Sequence, residues 1–473
     1  MSDHFDQAPR ASGSHRAAAR LWRGGLWRSG AVVIASMVSA LTAGLLLAVT
    51  PAQAAQPAQA RETARAHGAA QADQTPRAGW AAKAGAGWHS PFAPARAYTG
   101  PNGEVELNAA CTAPNQPGQA ACFAISRQTK TKLRSGAAES AAAAAIRPAG
   151  YGPSALRRAY HLPSSRGAGH VVAVVDAYND PNAESDLARY RSTYGLPPCT
   201  TANGCFRKIN QNGGTSYPSS DAGWAAEISL DLDMVSAVCP NCHILLVEGS
   251  SSYISDLGTG VNTAVKLGAR FVSNSYGASE SSADTSYDSQ YNNHPGVAIT
   301  ASAGDGGYAT AYPADSRYVI AVGGTSLNSS STTRGWSEKV WNGSGSGCSG
   351  YDTKPSWQTD SGCSKRTGND VSAVADPGTG VAVYDTYQAG GWAIYGGTSA
   401  SAPIIAATYA LAGTPISGSY PASYLYAHTS ALNDVTSGSD GSCSTSYFCT
   451  ARTGYDGPTG LGTPNGITAF LSP

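Results

Sequence analysis

The segment Gly396-Gly397-Thr398-Ser399-Ala400-Ser401-Ala402-Pro403 puts a serine just after two glycines and just before the apolar run Ala402 to Ala412. The glycines allow a tight turn, the apolar run reads as a helix, and Pro403 suits its first turn. A serine entering such a helix keeps its oxygen exposed beside backbone N–H groups that lack intrahelical partners. Those donors can stabilise an oxyanion, so Ser399 is a candidate nucleophile. An ordinary capping serine carries the same local pattern.

A serine nucleophile needs a base. The chain has nine histidines, of which His4, His15, His67 and His89 lie in the leader. His161, His170, His243, His294 and His428 remain, and none opens a glycine-flanked helix. A Ser-His-Asp arrangement therefore has no good middle member. Carboxylates offer another route. In Trp224-Ala-Ala-Glu-Ile-Ser-Leu-Asp-Leu-Asp-Met234, Glu227 and Asp231 stand four apart and share a helix face. Two such acids can share a proton, with one pKa raised and one lowered. The pair could take a serine proton in acid, where imidazole is already protonated. A solvated acidic face is the plainer alternative, but Trp224, Ile228, Leu230, Leu232 and Val235 make the segment too apolar for it. Asp233 is the second-choice acid. A further carboxyl, Asp305, sits in Ala303-Gly-Asp-Gly-Gly307 after a strand-like run. It reads as a turn former, or, if buried and protonated, as a hydrogen-bond donor to an oxyanion.

The elements that must position these groups alternate. Strands are expected at His170–Asp176, His243–Glu248, Ala269–Asn274, Val297–Ser302 and Tyr318–Val322. Helices are expected at Glu184–Tyr194, Trp224–Ala237 and Ile254–Leu267. This alternation predicts an α/β fold, a doubly wound parallel sheet flanked by helices, with sites beyond the carboxyl ends of the strands. Asp176, Asp305 and Ser399 all follow strand-like or turn segments. Upstream lies a short strand-like stretch, Gly103 to Asn108, and an alanine run, Ala137 to Ala145.

Charge divides the chain although its 31 Lys/Arg and 31 Asp/Glu cancel overall. Residues 1–150 hold 15 basic and 7 acidic residues, and residues 151–473 hold 16 and 24. A basic leader thus precedes an acidic body, with no global field for nucleic acid. Five arginines in residues 1–28, an uncharged apolar core from Ala31 to Val49, and Ala52-Gln53-Ala54 read as a cleaved secretory signal rather than a membrane anchor. The ten cysteines suit export and fall into close pairs: 111/122, 199/205, 239/242, 348/363 and 443/449. Five local disulfides are the simplest framework.

These stretches, in this order, resemble the sedolisin (serine-carboxyl peptidase) family. The matching motifs are E-x-x-x-D at Glu227–Asp231, S-A-G-D-G at Ser302–Gly306, and Tyr312-Pro-Ala with Ala321-Val-Gly-Gly-Thr325. G-T-S-x-S-x-P at Gly397–Pro403 and Asp434-Val-Thr, Gly454-Tyr-Asp456 and Thr459-Gly-Leu-Gly462 complete the set, over about residues 150–473. The resemblance implies a subtilisin-like fold with a small N-terminal propeptide region. It divides the chain into a signal peptide (1–54), a partly disordered propeptide with a linker (55–146) and the peptidase domain (147–473). It implies a secreted, mostly acid-active endopeptidase made as a zymogen, acting on proteins or peptides and inhibited by its own propeptide, monomeric and free of nucleic acid and membrane. Ser399 becomes the nucleophile, Glu227 the general base, Asp231 the residue orienting Glu227, and Asp305 the oxyanion partner. One structural Ca2+ is implied, held by the carboxylates of Asp434 and Asp456 and the carbonyls of Val435, Arg452 and Gly454. Asp176 stands where members often have Glu, and Tyr276 where they often have Trp; Asp176 is a candidate auxiliary. A Ser-His-Asp protease, or a binding protein on a dead peptidase scaffold, are the alternatives.

Overall fold

Valine-rich runs form the centre of the molecule. Val171–Ala177 is almost wholly buried, as expected of a strand covered on both faces. A computed structural model describes residues 90–92, 96–100, 103–129 and 148–473, all within the compact unit Trp80–Pro473. The expected signal segment with its apolar run, and the Ala137–Ala145 linker, lie outside the described residues.

The main sheet has eight strands. Across it run Trp336–Val340, Ile320–Ser329, Ala298–Ser302, Phe271–Asn274, Val171–Ala177, His243–Gly249 and Phe206–Asn210, with Val371–Val374 also paired to Ile320–Ser329. All pairings are parallel except the hairpin of Trp336–Val340 on Ile320–Ser329. The chain enters at Val171–Ala177 in mid-sheet, builds outward to Phe206–Asn210, then crosses to Phe271–Asn274 on the other side. That reversal is the place where α/β sheets open a crevice at their carboxyl ends. The doubly wound α/β architecture expected from the alternation is thus observed. Among the described residues no helix is long and apolar enough to cross a membrane.

Two long helices are almost wholly buried and pack on each other. Ala222–Val238 is buried from Trp224 onward, its acids included, and Thr398–Ala412 is buried along its whole length.

Part of the basic leader is woven into the same unit. Arg96–Gly100, Gly103–Ala109 and Ile125–Thr129 form a five-stranded sheet with Gly391–Gly396 and Val381–Asp385. Ala121–Cys122 pairs antiparallel with Tyr276–Ser279. All five local disulfides form as the cysteine spacing suggested.

Candidate active site

The helix carrying Glu227 is started by Asp221, whose side chain accepts the N–H of Trp224 at 3.0 Å. The i, i+4 spacing then turns Glu227 and Asp231 to one side, as expected. The helix carrying Ser399 corrects the sequence reading. It begins at Thr398, not near Ala402, so Pro403 lies inside it. Pro403 has no N–H for the carbonyl of Ser399, four residues back. The Ser399 carbonyl instead lies 3.4 Å from Ser275 Oγ, whose proton goes to Asp231 at 2.8 Å.

The four candidate residues converge. Ser399 Oγ donates to Glu227 Oε2 at 2.7 Å. Ser275 Oγ donates to Asp231 Oδ1 at 2.8 Å. Glu227 Oε1 and Asp231 Oδ2 receive no N–H or O–H from other described residues. One proton shared between the two carboxyls would satisfy both. Burial pushes both pKa values well above the ordinary carboxyl range, and the charge of Asp176 pushes them further. Asp176 is itself fully buried, raised by burial and by Glu248. The candidate auxiliary therefore stands behind the pair as an outer carboxyl.

Asp305 approaches from the strand end after Ala298–Ser302. Its Oδ1 accepts Thr398 N–H at 2.8 Å and Thr398 Oγ1–H at 2.9 Å. Its Oδ2 has no such donor among the described residues. Burial raises its pKa to about 8, so in acid or at neutral pH Oδ2 carries a proton to donate. Gly397, at φ +92°, leaves the space this needs. A Cβ there would stand 2.6 Å from Asp305 Oδ2 and 1.7 Å from the carbonyl oxygen of Phe123.

Among the described residues, four histidines are engaged away from Ser399. His170 Nδ1 lies 2.6 Å from Ala410 O, His294 Nε2 2.8 Å from Asn262 Oδ1, His161 Nδ1 2.8 Å from Asn465 Oδ1, and His428 Nδ1 3.0 Å from Tyr424 O. His243 is exposed. Asp233 faces away from Ser399 and accepts Tyr384 N–H at 2.9 Å. Sequence reasoning did not single out Ser275, Glu248, Phe123 or Ala124. Ser275 and Glu248 were legible only as strand-end polar residues.

Of the residues expected to hold calcium, the two carboxyls are tied to neighbouring backbone N–H groups. Gly454 N–H donates to Asp434 Oδ2 at 2.9 Å and Arg452 N–H to Asp456 Oδ2 at 3.0 Å. Burial raises Asp456 to about 7, and the charge of Asp434 adds to this. Two carboxylates close enough to affect each other's charge are the kind of oxygen donors that Ca2+ takes. A second acidic group, unanticipated, is Glu280, Asp284 and Asp352, with one oxygen of each within 4.8 Å of the others.

Comparison with known proteins agrees with this arrangement. Residues 207–440 match the model of the subtilase family. Kumamolisin from Bacillus sp. (strain MN-32) is 29% identical over 359 residues, 68% of this chain and 63% of kumamolisin. Sedolisin from Pseudomonas sp. (strain 101) is 37% identical over 173 residues, 33% of this chain and 29% of that protein. The chain therefore spans under two thirds of the length of these relatives. The solved structure of Pseudomonas sedolisin, a serine-carboxyl proteinase complexed with two molecules of pseudo-iodotyrostatin, superposes with a TM-score of 0.57 at 27% identity, covering 68% of this chain and 96% of that one. With the parallel sheet, the buried carboxyl pair and the serine at a helix start, these likenesses support a sedolisin-family peptidase.

Proposed function

We propose that this chain is a secreted serine-carboxyl endopeptidase, made as a zymogen, that hydrolyses peptide bonds of proteins at acidic pH. The observation that carries the reading is the 2.7 Å hydrogen bond from Ser399 Oγ to Glu227 Oε2. A buried carboxylate at that distance can take the hydroxyl proton as the oxygen attacks a carbonyl. Asp231, steadied by Ser275, holds the second carboxyl of the pair and orients Glu227. Protonated Asp305 donates to the oxyanion as it forms.

This division of labour sets an upper pH limit on activity. The pair must carry one negative charge to act as base, and Asp305 must carry a proton to act as donor. Asp305 loses that proton as pH rises through about 8. Imidazole has no part. Five disulfides suit an oxidising, extracellular setting. The leader acts as an intramolecular inhibitor, since N–H groups of Phe123 and Ala124 occupy Ser399 Oγ and Glu227 Oε2. A single Ca2+ bound by Asp434, Asp456 and the carbonyls of Val435, Arg452 and Gly454 would tie the C-terminal loops together without entering the reaction. The mature protein acts as a monomer.

Purified full-length protein and its Ser399→Ala variant, assayed on casein from pH 3 to pH 9, test this reading. The expected result is wild-type activity concentrated in acid and none in the variant. A flat profile to pH 9, or activity surviving in Ser399→Ala, overturns it.

A further inference from the structure

We infer that the chain cuts itself between Phe123 and Ala124, and that the pocket over Gly277 accepts an aromatic side chain on the acyl side of the cleaved bond. This rests on the peptidase reading above and extends it to one bond and one specificity pocket.

Residues 121–125 lie in the crevice as an extended strand held on both sides of one peptide. Upstream, Ala121 and Cys122 pair antiparallel with Gly277 and Tyr276. Downstream, Ile125, Ser126 and Arg127 pair with Gly396, Tyr395 and Ile394. Between them, Phe123 N–H faces Ser275 O at 3.3 Å and Ser399 Oγ at 3.1 Å. Ala124 N–H donates to Glu227 Oε2 at 2.9 Å. The carbonyl carbon of Phe123 joins these two N–H-bearing units, so it is held between the nucleophile and the base. Its oxygen points toward Gly397, where the protonated Oδ2 of Asp305 also points. Each group the reaction requires thus faces one bond of the chain itself.

The proton path closes on a single oxygen. Glu227 Oε2 lies 2.7 Å from Ser399 Oγ and 2.9 Å from Ala124 N. Ser399 Oγ bonds to the Phe123 carbonyl carbon and gives its proton to Glu227. Glu227 passes that proton to the Ala124 nitrogen as the C–N bond breaks, leaving an acyl-serine and a free amine. Water, the second reactant, then adds its oxygen to the acyl carbon. One proton returns through Glu227 to Ser399, and the Phe123 carboxyl is released.

The pocket is read from what fills it. Phe123 is 2% exposed. A Cβ on Gly277 would lie 2.8 Å from Phe123 Cε2 and 2.9 Å from its Cζ, so the ring occupies room that only glycine leaves. Phe92 packs beside it at 5.6 Å between ring centroids. No disulfide spans the cut: Cys111–Cys122 lies before it, and the other four bridges, which use all remaining cysteines, lie after it. The two products are therefore held together only by non-covalent contacts.

The test is to express the full-length wild type and Ser399→Ala, shift both to pH 4, and read new N-termini by sequencing and intact mass while following casein hydrolysis. The inference expects a terminus at Ala124-Ile125-Ser126 in the wild type, formed at a rate independent of protein concentration, and an intact bond in Ser399→Ala. Casein activity with the 123–124 bond intact, or with processing only elsewhere, overturns the inference and leaves the peptidase reading standing. No casein activity from the folded wild type defeats the peptidase reading instead. Phe123→Gly should slow the cut at least about tenfold, since a buried aromatic anchor is lost, whereas Phe123→Tyr should not. Short peptides with Phe or Ala on the acyl side should differ in the same sense, at least about tenfold in kcat/KM. Equal rates in both comparisons overturn the pocket assignment.

Discussion

Two groups of buried carboxyls in this molecule share one electrostatic character and differ in what they face. Around Ser399 stand Glu227, Asp231, Asp176 and Asp305; elsewhere in the fold stand Glu280, Asp284 and Asp352, with Asp288 and Asp315 beside them. Burial raises proton affinity in both, to about 8 at Asp305 and about 8 at Asp352. Both groups also have serines. In the second group Ser281 Oγ donates to Asp284 Oδ1 at 2.9 Å and Ser281 N–H to Asp284 Oδ2 at 2.7 Å in a local turn, and Ser349 Oγ donates to Glu280 from 69 residues away. In the first, the serine and its acid are 172 residues apart and meet at the sheet's carboxyl edge, with a peptide laid across them. Raised pKa values thus mark buried acid in general. What sets the first group apart is the peptide of Phe123 and Ala124 held against its serine and acid.

The contrast is broken most severely at the nucleophile and base. Ser399→Ala and Glu227→Gln should each lower kcat on casein by about 10^4-fold or more, with circular dichroism unchanged. A loss under tenfold for Glu227→Gln would remove it from the role of base. Next comes the oxyanion donor. Asp305→Ala should cost about 10^2 to 10^3-fold in kcat. Asp305→Asn, which keeps a donor toward the crevice and an acceptor for Thr398, should lose less than Asp305→Ala, and equal losses would argue against hydrogen-bond donation.

Smaller effects concern stability. Removing calcium with a chelator should lower Tm, as should Asp456→Ala, and added Ca2+ should restore the wild type but not the variant. Saturation at about 100 times Kd corresponds to about 2.7 kcal/mol of stabilisation. An unchanged Tm would dismiss the ion. The smallest effect sharpens the comparison itself. A carboxyl whose folded pKa is raised stabilises the fold fully below its unfolded pKa, and that stability is lost as pH rises toward the folded value. With Asp352 at about 8 and Asp284 at about 7, Tm should fall between pH 4 and pH 8. Asp352→Asn should flatten this fall while changing casein activity at pH 4 by less than twofold. A steep fall retained in that variant would show that Asp352 does not titrate as burial predicts.

Much of the fold was legible because it rests on local rules. Valine-rich runs with helical stretches between them announced the parallel sheet, and the observed strand Val171–Ala177 and helix Ala222–Val238 differ from expectation by a residue or two at each end. Cysteine proximity foretold five bridges because short separations close small loops. The start of the Ser399 helix was misread, since Pro403 suits a first turn but lies inside a helix that begins at Thr398. The leader's short strands were legible only in part. Gly103 to Asn108 was recognised, but not its partnership with Gly391–Gly396 through Ile125–Thr129.

By itself, the sequence determined everything set within a helical turn or a strand's length: the Glu227 and Asp231 pairing on one face, the glycines before Ser399, and the alternation that makes a layered α/β body. The tertiary structure alone decided which carboxyl meets which hydroxyl, that Asp176 backs the pair, and that Phe123 and Ala124 lie across it. The reason is physical. Spacing along the chain sets geometry only over a few residues, whereas these contacts depend on the order of strands in the sheet and on desolvation that arises once the layers close.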